Sequence, residues 1–91
     1  MFENIEKYRN LFRIIYSGEE SLDNGLLYIR DNGANQMESV RVVMLELDIP
    51  LSEADEIVTN SIVWADNMER ITELRKALEE SLIEINKSKN S

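Results

Sequence analysis

An all-α fold, a compact bundle of four or five helices ending in a long C-terminal helix, is what this 91-residue sequence predicts. Two observations carry the prediction. Apolar residues recur at spacings of three and four in segment after segment, the period of one helix face. Helix start and stop signals separate those segments, with an Asn, Ser or Asp three residues ahead of an acid at several starts and Pro50 at a stop. At 43% hydrophobic residues the chain can fill one modest core. We expect a single helical domain over residues 1–86, followed by a frayed polar tail at residues 87–91. There is no internal repeat and no low-complexity segment.

From Phe2 to about Tyr16, Ile5, Tyr8, Phe12 and Ile15 mark one face of a first amphipathic helix, which "SGEES" breaks. Leu22, Leu26 and Ile29 repeat the spacing in a second helix, with Gly33 placed as its C-terminal glycine. A competing reading treats Asn24-Gly25 and Asn32-Gly33 as turns around a short strand at residues 26–31. Asn35 and Glu38 open a third helix carrying Val40, Val43, Met44 and Leu47, and it must end by Ile49 because Pro50 disfavours helix in the residue before it. Ser52 and Asp55 repeat the start signal for a fourth helix with Ala54, Ile57 and Val58, so "DIPLS" joins two short helices in a hairpin. Asp66 is placed to cap a fifth helix, with Met68, Ile71, Leu74, Leu78, Leu82 and Ile85 along one face. Its outer face mixes Arg70, Arg75 and Lys76 with Glu69, Glu73, Glu79 and Glu80.

Composition excludes several kinds of function. The chain has no Cys and no His, which removes disulfides, thiolate chemistry, the commonest general base and the commonest transition-metal ligand. No G-x-S-x-G or Ser-x-x-Lys pattern supplies another nucleophile, so we expect no enzyme. "DNGANQMESV" does not fit the calcium loop, because Gly33 falls at its third position instead of its sixth; neither metal nor cofactor is expected. No run of about 18 apolar residues could span a membrane, and "MFENIEKYRN" lacks an apolar signal core, so a cytoplasmic chain is expected. A net charge of −8, from 18 acidic and 10 basic residues, argues against direct contact with nucleic acid or an anionic membrane.

That charge is unevenly spread. Residues 42–69 hold Glu46, Asp48, Glu53, Asp55, Glu56, Asp66 and Glu69 with no Lys or Arg, and a second base-free stretch, residues 14–29, holds Glu19, Glu20 and Asp23. Solubility alone accounts for acidity in many proteins. A concentrated acidic face also suits a basic partner, and Glu46, Asp48, Glu53, Asp55 and Glu56 are the first candidates for it, with Glu19, Glu20, Asp23 and Trp64 second. Trp64 is either a packing residue or an interface anchor. Met37, Met44 and Met68 are read as core filler.

The stretch "MESVRVVMLELDIPLSEADEIV", Met37 to Val58, resembles the helix-turn-helix of the C-terminal domain of the bacterial ribosomal stalk protein. That family's pattern is an Ile-Lys-x-Val-Arg helix, a Gly-Leu turn, then Leu-x-Glu-Ala-Lys-x-Leu-Val, and Leu51, Glu53, Ala54, Ile57 and Val58 match it in kind and spacing. The resemblance covers about a quarter of the chain and implies a helical hairpin. Val42 and Asp55 stand where the stalk family has lysines that meet translation factors, Pro50 replaces the turn glycine, and a long helix follows where that family has strands. As a whole the chain is similar to the small acidic immunity proteins that accompany bacterial toxins. The expectation from that likeness is a protein that neutralises a basic toxin domain, a nuclease acting on tRNA or another nucleic acid, by covering its active or substrate-binding surface. The alternative is an adaptor that docks on the translation machinery through the hairpin. Pairing of the C-terminal helix with a second copy in a homodimer stays open.

Overall fold

In the computed structural model of the chain, the backbone is described at residues 3–65 and 68–90 and the side chains at 4–18, 20–65 and 68–85. Among the described residues five α-helices follow one another: α1 (Glu3–Ile15), α2 (Leu22–Asp31), α3 (Gln36–Leu47), α4 (Leu51–Thr59) and α5 (Met68–Asn90). Short 3-10 turns at Glu19–Ser21 and Ile62–Trp64 connect α1 to α2 and α4 to α5. No strand occurs among the described residues, so the all-α expectation is met. The helical backbone of α5 runs past Ile85 into the polar tail.

α1 buries the stripe its spacing predicts, with Ile5, Tyr8, Phe12 and Ile15 all inside. It lies on α2 and α3, while α5 covers α2 from another side. Being covered twice, α2 buries more than one stripe. Leu26, Leu27 and Ile29 are all inaccessible, although periodicity had singled out only the first and last of them. The strand reading of residues 26–31 is overturned. Asn24-Gly25 lies inside the helix, because Gly25 faces the Phe12 ring at a distance that leaves no room for a side chain there.

The ends of α2 and α3 follow their sequence signals. Beyond α2, Ala34 N–H donates to the Ile29 carbonyl at 2.9 Å and Gly33 N–H to the Arg30 carbonyl at 3.0 Å, with Gly33 at φ 110°. These two bonds define the Schellman closure, for which glycine is the natural residue. At the start of α3, Glu38 N–H donates to Asn35 Oδ1 at 2.8 Å and Asn35 N–H donates to Glu38 Oε1 at 2.9 Å, a reciprocal capping box. The start of α4 differs from expectation. Pro50, not Ser52, is the N-cap, with no side-chain cap, and its carbonyl accepts the first helical bond from Ala54 at 3.0 Å. Proline presets the backbone angle needed at a helix start, so α4 begins at Leu51 and Ser52 falls within its first turn. Asp66, expected to cap α5, lies outside the described residues.

One apolar core unites the helices. Phe12, Leu26, Ile29, Val43, Val58 and Val63 are fully inaccessible in it, and from α5 Ile71 and Leu78 join it. Met68 and Met37 do not belong to the core: they are 68% and 57% exposed.

Candidate functional site

α3 and α4 pack on each other as a hairpin. Its turn is made by Asp48, Ile49 and Pro50, and Asp48 takes the left-handed conformation at φ 54°, ψ 54° that ends α3. Within α4, Ala54, Ile57 and Val58 turn towards the core. At about 100° per residue that phase sends Glu56 directly outward, with Glu53 on one flank and Asp55 on the other. Asp48, Glu53, Asp55 and Glu56 are all exposed. None of them has an ion-pair partner among the described residues. Three of these four candidates thus spread around the outer side of α4 and Asp48 stands at the turn, all without an ion pair among the described residues.

Glu46 belongs to a different environment. Its side chain is only 9% exposed and lies against α1, where Arg9 Nε donates to Oε2 at 2.6 Å. Arg13 donates from Nε to Oε1 at 2.6 Å and from Nη2 to Oε2 at 2.9 Å, a bidentate contact. Burial pushes the Glu46 carboxyl up, but the hydrogen bonds and charges of Arg13 and Arg9 outweigh it and hold the group below its ordinary value. Its charge locks α3 onto α1 and is spent inside the molecule.

The second acidic stretch does not add to the hairpin surface through any hydrogen bond or ion pair among the described residues. Glu20 is exposed beside Ser17, Gly18 and Ser21 at the α1–α2 connection. Asp23 is half-buried. Desolvation raises its pKa, and the charge of Arg70 on α5 offsets this only in part. The side chain of Glu19 lies outside the described residues. Trp64 is half-buried against the core, with the Arg30 guanidinium 4.6 Å above its ring, and Arg30 Nη1 also donates to the Val63 carbonyl. Trp64 thus fastens the 3-10 turn to α2, and its buried Nε1 finds no protein acceptor.

A feature that sequence reasoning missed lies beside the acidic surface. Ile5, Arg41, Met44, Leu45 and Leu51 line a shallow groove of about 330 Å³ where α1, α3 and α4 meet. It continues past Leu51 into a hollow bounded by Met37, Val40, Ser52 and Asp55. Met37, Leu45 and Leu51 are 57%, 44% and 54% exposed, so the groove wall is open apolar surface. The available signal was the four-residue spacing of Met37, Arg41 and Leu45, a second stripe alongside the core stripe of Val40, Val43 and Leu47.

Among the described residues no three acidic side chains gather closely enough to hold a metal ion. No helix among them is long and apolar enough to cross a membrane. No family model, curated protein or solved structure matches the chain.

Proposed function

We propose that this protein is an immunity-type inhibitor: it binds a basic bacterial toxin domain, a nuclease acting on tRNA or another nucleic acid, and covers the surface that meets the substrate. The observation that carries the reading is that Asp48, Glu53, Asp55 and Glu56, all on one helical hairpin, are exposed and without ion pairs among the described residues. A nuclease site concentrates positive potential to hold phosphates. An unneutralised carboxylate surface is attracted to the same field, which raises the association rate and competes with the nucleic-acid backbone.

The test is a pull-down with the tagged protein from cells that also express the gene immediately upstream, at about 100 mM and about 500 mM salt. Near-stoichiometric capture of one basic protein, weakened when Glu53→Lys and Glu56→Lys are introduced together, is the expected result. Toxicity of that protein, relieved by co-expression of this chain, would complete it. Capture of elongation factors or ribosomes instead would favour the adaptor reading based on the stalk-like hairpin. Capture that is indifferent to the charge reversal would refute the acidic-face mechanism.

A further inference from the structure

We propose that the groove between α1, α3 and α4 is the anchor site for one amphipathic, cationic helix of the partner. This rests on the acidic-face reading and adds to it the apolar contacts and the kind of segment that makes them.

Three physical considerations select that occupant. Met37, Leu45 and Leu51 hold open apolar surface in one place, with Met44 and Ile5 behind them, which is the arrangement that receives apolar side chains on binding. The groove lies among helices, and no strand edge among the described residues could hydrogen-bond an extended peptide. A segment laid against apolar side chains must satisfy its own backbone N–H and C=O groups, as a helix does internally. Met37 and Leu45 lie eight positions apart along α3, about 12 Å, which matches two turns of a docked helix presenting residues at i, i+3 or i+4, and i+7.

Charge decides between a partner and a second copy of this chain. Asp55 lines the groove, and Glu56 beside it turns outward from α4, while Glu53 lies on the far flank. Two copies meeting through this face would bring Asp55 and Glu56 of each together, with only one Arg41 from each to offset them. A helix with Lys or Arg beside its apolar stripe meets the acidic rim favourably instead. Arg41 lies in the groove without an ion pair among the described residues. The docked helix therefore brings one acceptor to it, either a carboxylate or the open carbonyls of its last turn.

The experiment titrates the whole protein with two fluorescent peptides of identical Leu and Lys composition and about five helical turns. One has its Leu residues on a single helical face; in the other they are shuffled so that no face forms. Fluorescence anisotropy at about 150 mM salt measures affinity, and sedimentation of the protein alone at about 0.5 mM measures self-association. The expected result is at least about tenfold tighter binding of the amphipathic peptide, an advantage lost in Leu45→Ser/Leu51→Ser. Both substitutions are at open positions, and circular dichroism is the check that the variant folds. Glu53→Lys/Glu56→Lys should weaken both peptides alike. Equal binding of the two peptides, binding of neither, or an advantage that survives Leu45→Ser/Leu51→Ser would overturn the groove proposal. Each of these leaves the acidic-face reading to its own test, the charge reversal in the pull-down. A dimer that Leu45→Ser dissociates would overturn it in favour of a second copy.

Discussion

Replacing Gly25 by alanine sets two opposing effects against each other at the closest approach of α1 and α2. In an exposed helix interior, Gly→Ala stabilises by about 1 kcal/mol, because glycine has more backbone freedom to lose on folding. Here an added Cβ would stand 2.8 Å from Phe12 Cε1 and 2.9 Å from Cδ1. Carbon atoms rest at about 3.5–4.0 Å, so the ring or the helix must move by about 0.7 Å or more. Phe12 has nowhere to go: it is fully inaccessible, and its ring stacks on Tyr16 at 5.0 Å between centroids. Overpacking of this kind costs about 1–3 kcal/mol. We expect a net loss of about 1 kcal/mol, or about 4–8 °C in Tm for a domain of this size. Urea denaturation followed by circular dichroism and Trp64 fluorescence measures it, with an unchanged m-value confirming that stability alone has moved. In Phe12→Leu/Gly25→Ala the outer ring atoms are gone, so the helix-propensity gain should reappear as a favourable coupling of about 1 kcal/mol or more. A single Gly25→Ala variant more stable than the natural chain by about 1 kcal/mol would refute the close approach.

Glu46 and Asp23 should give stability opposite dependences on pH. The folded pKa of Glu46 is depressed below its ordinary 4.5, so its contribution is fully present above that value and is lost as pH falls through the folded pKa. Glu46→Gln is therefore less stable than the natural chain at pH 7, and urea midpoints of the two should converge in acid. Asp23 is raised above its ordinary 3.8 by burial, so its ionised form opposes folding at neutral pH and ceases to do so as pH falls through the raised value. Asp23→Asn is expected to be the more stable chain at pH 7, with no advantage below 3.8; a loss of stability at pH 7 would show that Arg70 outweighs desolvation. At the hairpin turn, Asp48→Gly should stabilise by about 0.5–1 kcal/mol by relieving the left-handed conformation, and Asp48→Ala should not. Thermal melts of both variants check this, and equal Tm values for Gly and Ala would contradict the φ of 54°.

What was legible in the sequence was local. The stripe of Ile5, Tyr8, Phe12 and Ile15, the Asn35–Glu38 capping box and the Gly33 closure each depend on residues a few positions apart, and each formed as its pattern requires. The outward phase of Glu53, Asp55 and Glu56 followed in the same way from the inward phase of Ala54, Ile57 and Val58. Long-range packing decided the rest. Asn24-Gly25 reads locally as a turn, and only the Phe12 ring, thirteen residues earlier (25 − 12), explains the glycine within a helix. Glu46 looked like its acidic neighbours because Arg9 and Arg13 lie 37 and 33 residues away in sequence. Met37 has the spacing of a core residue, but Val40 and Val43 already fill the space α3 shares with its neighbours, so it remains outside.

The placement of the arginines leaves the carboxylates of α4 without an ion pair among the described residues, with Arg41 of α3 the one arginine on the hairpin. Arg9 and Arg13 are held by Glu46, Arg75 pairs with Asp31 at 2.8 Å, Arg70 faces Asp23, and Arg30 lies over Trp64. These cations join α1 to α3, and α2 to α5 and the turn before it. α4 has no basic residue to donate such a bond, and its carboxylates accept none from an arginine or lysine among the described residues. The contacts within the molecule act at about 3–5 Å, well inside a Debye length of about 10 Å at 0.1 M salt, whereas the steering we propose for the hairpin carboxylates would act beyond it. Stability and partner association should therefore separate with salt. Raising it should change folding little and slow association strongly, leaving the apolar contacts of the groove to hold a complex already formed.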